Sequence, residues 1–377
     1  AVGLSDWLLW ARGLLEKRFG AVKRSVLSFT HNGVDYSVLP NGAILMSQNK
    51  HLEQIAAVLV PHDAKDDDAL TPVPQSAFRG LLCAMLWDTQ CRPDILCEVV
   101  QLQSHNINAT IANLKQANTC LKRGQLSCGT TTGLHFLPLQ FPLKLVSIND
   151  AGHASKNSSY SHEGQLVVLM EDRELITDSS DHVTAVTVPN LGGPCHVPCQ
   201  LPSKSKRISQ STSHAANLAQ VSGVLHSQMV TIRFTEMFPH ALFNERASTK
   251  LLLQVQDTGS YLLPLDVWTD CMDLFSLSTG LKGVPADKSQ RLSVLTMREE
   301  RLTGRLRNYV HMPTSGVIAD ALTKQWDLST IHEIAYDGTP AITTDSAQST
   351  ETGYSTTTCD DRRLHRRRLT YNQRVML

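Results

Sequence analysis

Residues 143–154 read LKLVSINDAGHA, and this stretch decides the fold. Its first part, Leu143–Ile148, has the alternating apolar pattern of a β-strand. Asp150 follows two residues later, so its carboxylate is expected at the edge of a sheet. Because the ends of neighbouring strands meet at such an edge, acidic residues at the ends of other strands are candidates for a shared site.

Two further aspartates follow elements of this kind. Asp270 follows a predicted strand at Leu262–Trp268, and Asp320 lies on a short predicted helix after Pro313. Carboxylates that converge on one sheet edge can hold two divalent cations about 4 Å apart, which activate water and stabilise the leaving oxygen in phosphodiester hydrolysis. Aspartates that merely cap turns would have the same spacing, so spacing alone leaves both interpretations open.

Strands and helices alternate around these aspartates. Besides the two strands above, the pattern predicts strands at Gln165–Met170 and Tyr309–Met312, and helices at about 212–233 and 287–303. This order predicts an α/β domain with a mixed sheet. In the region before residue 143, the residue pattern predicts a hairpin around Pro40-Asn41-Gly42 and two helical runs, about 76–103 and 107–122. Residues 176–206 show little periodicity.

The composition narrows the class of protein. The 377 residues suffice for two or three domains, and 41% hydrophobic content is ordinary for a globular chain. The formal net charge of +0 means that any contact with nucleic acid must come from local basic patches. Nine cysteines, an odd number at irregular spacings, predict an intracellular protein of the cytoplasm or nucleus. No apolar run approaches the roughly 18 residues of a membrane helix.

Six segments of the middle region occur in the order of one known family. They read INDAGHA (148–154), SSYSHEGQLVVLM (158–170), SKSKRISQSTSHAANLA (203–219), TDCMDL (269–274), GVPADKSQRLSVLTMREERLTGRL (283–306) and VHMPTSGVIADALTK (310–324). Together they resemble the ribonuclease H domain of the Pol polyprotein of copia-type LTR retrotransposons. The terminal Ala-Leu-Thr-Lys is among the most specific fragments of the match.

Four upstream segments resemble the end of the same family's reverse transcriptase and its connection. They read FTHNGVDY (29–36), ILMSQNKHLEQI (44–55), FRGLLCAMLWDTQCRPDILCEVVQLQ (78–103) and ANLKQANTCLKR (112–123). The resemblance implies a partial α+β reverse transcriptase thumb and connection region at 1–134 and a ribonuclease H-like mixed sheet with flanking helices at 135–326. Residues 327–377, rich in Ser, Thr and Arg, are expected to be a disordered tail.

The resemblance also implies a chemistry. Such domains cut the RNA strand of an RNA–DNA hybrid with two Mg²⁺ ions, and Asp150, Asp270 and Asp320 match the family's metal-binding carboxylates. The hybrid would be recognised by its minor-groove shape and 2′-hydroxyls rather than by its sequence. The basic strand of the family matches Lys204, Lys206 and Arg207, which are candidates for phosphate contacts and equally fit a solvated strand edge.

One departure from the family pattern bears on activity. The family expects Ala-Glu in the first helix, with the glutamate as a metal ligand, but here Ala215 is followed by Ala216. A methyl group cannot bind a cation, and no acidic residue occurs from His182 to Thr235. His214 is a poor substitute, because Mg²⁺ prefers hard oxygen ligands.

Three hypotheses remain open at this stage. Three carboxylates could suffice for an active ribonuclease, the domain could be an inactive nucleic-acid-binding remnant, or the chain could be a decayed element copy without selected function. The loss of the glutamate predicts impaired catalysis. The paired aspartates of a polymerase lie upstream of the matched segments in the family, so no polymerase activity is expected.

Overall fold

The computed structural model describes residues 2–21, 27–152, 160–172, 194–205, 209, 211–237, 253, 257, 263–312 and 318–323. The predicted disordered tail, residues 327–377, lies outside this part of the chain. Within the described residues, each helix is too short or too polar to cross a membrane.

The N-terminal part combines one small sheet with a group of helices. The helices are α1 (Val2–Phe19), α2 (Asn49–Gln54), α3 (Pro72–Asp88), α4 (Pro93–Gln103) and α5 (Ile111–Leu126). The strands are β1 (Ser28–His31), β2 (Val34–Val38), β3 (Ile44–Ser47) and β4 (Leu134–Phe136), and they form an antiparallel sheet in that order. The predicted hairpin is therefore β2–β3. The predicted division at 134/135 stays a prediction, and it falls inside β4.

The C-terminal part is a five-stranded mixed sheet with flanking helices. Its strands are β5 (Leu143–Gly152), β6 (His162–Glu171), β7 (Cys195–Lys204), β8 (Leu265–Thr269) and β9 (Asn308–His311). Its helices are α6 (Thr212–Met237), α7 (Met272–Thr279), α8 (Lys288–Leu302) and a terminal 3₁₀ helix (Ile318–Leu322).

The strand order confirms the predicted fold class. Across the sheet the order is β7-β6-β5-β8-β9; β5, β6 and β7 run antiparallel, and β8 and β9 run parallel to β5. Such a mixed sheet, with its first strand in the centre, is the ribonuclease H-like arrangement. Strand β5 is longer than the sequence pattern predicts. It continues to Gly152, so Asp150 lies within the strand and pairs with Gly164 of β6 instead of following the strand.

Helices cover both faces of β5. On one face, Leu143 and Leu145 share an apolar cluster with Val224 of α6, Phe275 of α7 and Met297 of α8. Because side chains alternate along a strand, the residues between them point the other way. On that second face, Val146 and Ile148 share a cluster with Leu96 of α4 and with Ile318, Ala319 and Leu322 of the 3₁₀ helix. The N-terminal part thus supplies one of the helix layers of this sheet.

Prolines explain two differences between pattern and structure. The predicted helical run 76–103 is two helices, because Pro93 lacks an N–H and forces the preceding Arg92 out of helical geometry (φ −127°, ψ 72°). Strand β7 falls within residues 176–206, where the pattern shows little periodicity. It contains Pro198 and Pro202, which a strand tolerates at a sheet edge, and β7 is an edge strand.

A network of charges joins four strands at the far end of the sheet from Asp150. Arg307 donates to both carboxylate oxygens of Asp172 and of Asp266, and Lys144 lies 3.3 Å from Asp266. These residues lie at the start of β5, β8 and β9 and the end of β6. Asp266 is almost fully buried, so its charge depends on these partners.

Helix α6 lies close to β5, and this close packing makes a prediction. A Cβ added to Gly223 would come within 1.8 Å of Oδ1 of the buried Asn149, whereas one added to Gly80 of α3 would meet nothing within 4 Å. Gly223→Ala should therefore lower the free energy of unfolding by about 1–3 kcal/mol. Gly80→Ala, the matched control, should raise it by about 0.5–1 kcal/mol through helix propensity alone.

Chemical denaturation of the two variants and the parent chain measures both effects. Equal changes at the two glycines would contradict the close packing of α6 on β5.

Candidate metal centre

Three elements bring the acidic residues to one edge of the sheet. Asp150 lies near the end of β5, Asp270 follows β8, and these strands are parallel neighbours, so both end at the same edge. Asp320 comes from the 3₁₀ helix, which packs on β5 and β6. The arrangement follows from topology, because parallel strands present their carboxyl ends together.

The three carboxylates form a compact cluster. One oxygen from each lies within 4.8 Å of the other two, with Asp150 buried and the other two half-buried. In the part of the chain that the structure describes, neighbouring Glu163 does not join this group. Three hard oxygen donors at this spacing suit a small divalent cation. The structure thus brings together the three acidic residues singled out in the sequence, and their role as ligands stays a prediction.

Residues of β9 and α7 hold the Asp270 segment in place. His311 Nε2 donates to the Asp270 carbonyl oxygen at 3.0 Å, and its ring stands edge-on to Phe275, with ring centres 6.0 Å apart. The next residue, Cys271, carries a thiol whose pKa is raised by burial and by the charges of Asp270 and Asp273. A thiol with a raised pKa is a weak nucleophile and a weak metal ligand at neutral pH.

A glycine allows the 3₁₀ helix to approach β6. A Cβ at Gly164 would come within 2.8 Å of Thr323 Cγ2, 2.9 Å of the Ala319 carbonyl oxygen and 3.0 Å of Leu322 Cβ. Gly164 is also the strand partner of Asp150. The absence of a side chain at this position therefore brings Asp320 next to Asp150.

The first turns of α6 are fixed by neighbouring helices. Ser211 caps the helix by accepting from the His214 N–H, and Ser213 donates to Asp273 at 2.9 Å. The His214 ring is buried and its Nε2 lies 3.4 Å from the Ser289 hydroxyl, so it faces α8. This placement gives no support to His214 as a metal ligand.

Ala216 lies one residue beyond the contact between α6 and β5. Ala215 and Ala219 form a buried cluster with Ala151, the residue after Asp150. Ala216 itself is half-buried. Ala216 thus lies on the helix that packs beside the strand carrying Asp150, and its side chain is a methyl group.

Asp273, three residues after Asp270, is part of a structural ion pair. Lys282 and Ser213 both donate to its carboxylate, and these hydrogen bonds hold the pKa of Asp273 below its ordinary value. Its contribution to stability is therefore present above pH 4 or so and is lost as the pH falls further. The sequence motif TDCMDL holds two aspartates, and only the first of them belongs to the cluster.

The structure describes one of the three predicted phosphate-binding residues. Lys204 ends β7, with its Nζ 4.8 Å from the centre of the Tyr160 ring. It lines an open cavity of about 420 Å³ beside α6, together with Glu163, Ser222 and His226. Burial lowers the pKa of His162 below its ordinary value, and the charge of Lys204 lowers it further. Lys206 and Arg207 lie outside the described residues.

Comparisons with known proteins give one distant structural match. No protein-family model matches the chain, and no curated protein does so. Among solved structures, the chain is similar to LC11-RNase H1, isolated from compost by a metagenomic approach. The identity is 13%, the match covers 48% of this chain and 91% of that one, and the TM-score is 0.28. So low a score carries no functional inference, and it gives no support to the narrower copia-type resemblance. The fold assignment depends on the strand order.

Proposed function

We propose that this chain carries a ribonuclease H-like domain that binds RNA–DNA hybrid and cleaves its RNA strand weakly or not at all. The observation that supports this most is the cluster of Asp150, Asp270 and Asp320 at one edge of the mixed sheet. Carboxylates so close together repel one another, and a divalent cation offsets that repulsion. A structural role in capping turns requires no such convergence.

The donor set fits Mg²⁺ in kind but is incomplete in number. All three ligands are carboxylate oxygens, which Mg²⁺ prefers to nitrogen or sulfur. When bound, such an ion polarises a phosphate oxygen and activates water. Two ions carry four positive charges, and three carboxylates offset only three of them. The cluster therefore suits one ion better than two, and Ala216 is the position where the fourth carboxylate is absent.

We further propose that the domain derives from a copia-type Pol polyprotein. The ordered sequence segments support this origin, and the helices and small sheet of the N-terminal part would then be the remnant of the reverse transcriptase and its connection. We also propose an intracellular protein of the cytoplasm or nucleus, on the odd number of irregularly spaced cysteines.

An inactive nucleic-acid-binding domain is the second candidate. Ala216 favours it, because loss of one metal ligand impairs cleavage and leaves Lys204 unchanged. Lys204, at the end of β7 beside the open cavity, is the described cation available for a phosphate contact of this kind. This candidate predicts hybrid binding without cleavage even when Ala216→Glu restores the fourth carboxylate.

A cation-dependent thermal shift tests the metal centre. Mn²⁺ or Mg²⁺ should raise the melting temperature of the parent chain, because binding at 100 times Kd stabilises the folded state by about 2.7 kcal/mol. Asp270→Asn should abolish most of this shift. Without metal it should stabilise the protein by about 1–3 kcal/mol, since it removes one of three clustered charges.

Asp273→Asn is the matched control, three residues away. It breaks the ion pair with Lys282, so it should lower the metal-free melting temperature and leave the cation-induced shift intact. If both variants respond alike to Mn²⁺, the three aspartates do not form a metal centre.

Restoration of the missing carboxylate tests the chemistry. The parent chain in Mg²⁺ should show no cleavage of a labelled RNA–DNA hybrid above background. Ala216→Glu should increase cleavage on the order of 100-fold, because each ion in the two-metal mechanism stabilises charge in the transition state. Gel analysis of the labelled RNA strand measures the rate.

Leu225→Glu, on the exposed face of α6, adds the same charge away from the cluster and should not increase cleavage. Fluorescence anisotropy should show hybrid binding by all three proteins. Robust cleavage by the parent chain would mean that Ala216 is not at the position of a required ligand. A folded Ala216→Glu variant that binds hybrid without cleaving it would instead favour the inactive binding domain.

A further inference from the structure

We propose that Thr323 is a positioning residue of the metal centre: its hydroxyl fixes the orientation of the Asp150 carboxylate and couples it to the segment that carries Asp320. This inference rests on the proposed function of the three aspartates. It assigns a role to a residue outside the set of ligands.

The hydroxyl of Thr323 lies between two parts of the cluster. It donates to Asp150 Oδ2, and it lies 3.2 Å from the Asp320 carbonyl oxygen. Thr323 and Asp150 are both buried, at 6% and 8% exposure, so bulk water does not readily replace this contact. A hydrogen bond to a charged acceptor is stronger than one between neutral groups. The Asp150 side chain is therefore held in one orientation before any cation binds.

Both sides of Thr323 are themselves fixed. On one side, Gly164 of β6 leaves room for the Thr323 methyl group, because a Cβ there would lie 2.8 Å from Cγ2. On the other side, Gln101 of α4 donates from Nε2 to the Thr323 carbonyl oxygen at 3.4 Å. Leu96 of α4 shares an apolar cluster with Leu322, the residue before Thr323. The position of the hydroxyl is thus set by β6 and by the N-terminal helix α4.

Orientation matters because the three carboxylates come from three separate elements. A ligand carboxylate that rotates freely must lose that freedom when it binds a cation, and this cost weakens affinity. Groups that hold a metal ligand through a hydrogen bond commonly change affinity by about 10- to 100-fold when removed. Thr323 donates its hydroxyl hydrogen to Asp150, so its effect is exerted through that carboxylate.

Mn²⁺ affinity of the full chain tests the role of the hydroxyl. Thr323→Val keeps the shape and the methyl group but removes the donor, and it should weaken Mn²⁺ binding on the order of 10-fold in calorimetric titration. Thr323→Ser keeps the donor and should restore affinity close to that of the parent chain. Thr235→Val is the matched control. It removes a buried hydroxyl that bonds the Thr231 carbonyl within α6, and it should leave the affinity unchanged.

The outcomes separate this inference from the proposed function. Equal Mn²⁺ affinity in the parent chain and Thr323→Val would overturn the positioning role while leaving the metal centre in place. A Thr323→Ser variant with weakened Mn²⁺ affinity would also overturn the positioning role, since the methyl group and not the hydroxyl would then determine the affinity. A parent chain that binds no Mn²⁺ would overturn both. A double-mutant cycle of Thr323→Val and Asp150→Ala without metal tests the hydrogen bond itself. If the two substitutions change the denaturation midpoint additively, the two side chains do not interact and the hydrogen bond is excluded.

Discussion

The burial of β5 on both faces is the constraint on which the rest of the structure depends. Leu145 packs against α6 and its neighbours, while Ile148 packs against α4 and the 3₁₀ helix. A shift of the strand by one residue would exchange the two sets of side chains and turn Asp150 into the opposite layer. Polar residues of β5 fix the register, because only one register lets Lys144 reach Asp266 and places Asn149 against Gly223, and the position of Asp150 follows from it. The other two aspartates are then placed by the parallel neighbour β8 and by the helix that covers β6.

Local patterns in the sequence predicted four of the five strands of the mixed sheet, and they singled out the three aspartates that the structure brings together. The alternation of Leu143–Ile148 predicts a strand, and the aspartates at strand ends predict a shared edge, which the structure shows. The sequence pattern gave wrong element boundaries at prolines, because the effect of a proline depends on its position in the fold. Pro93 divides one predicted helix into α3 and α4. Pro198 interrupts the apolar pattern of β7, and the local sequence does not show that this segment is an edge strand. Both failures have the same cause: the effect of a missing N–H depends on whether a partner faces it.

The parts of the site that sequence could not predict are those that come from distant segments. Nothing in the sequence around Gln101 indicates that it contacts Thr323, more than 200 residues later in the chain. The contact arises because α4 fills the layer that would otherwise leave one face of β5 exposed to water. Helix α4 packs against the 3₁₀ helix through Leu96 and Leu322. The position of α4 therefore determines where Asp320 and Thr323 lie. The geometry of the cluster therefore depends on residues of the N-terminal part, on the other side of the predicted division at 134/135.

The packing at the start of α6 does not depend on which residue occupies position 216. The start of α6 is held by Ser213 on Asp273 and by Ala215 and Ala219 against Ala151, and none of these contacts involves Ala216. The helix thus keeps its place whether residue 216 carries a methyl group or a carboxylate. If Ala216 holds the position of the missing ligand, as proposed, a glutamate there would add a fourth negative charge to the three clustered ones, and the repulsion among them would destabilise the metal-free protein. A change from glutamate to alanine relieves this repulsion while it removes a ligand, so a chain can lose cleavage and gain metal-free stability by one substitution. Selection for folding stability alone would therefore not preserve such a metal ligand.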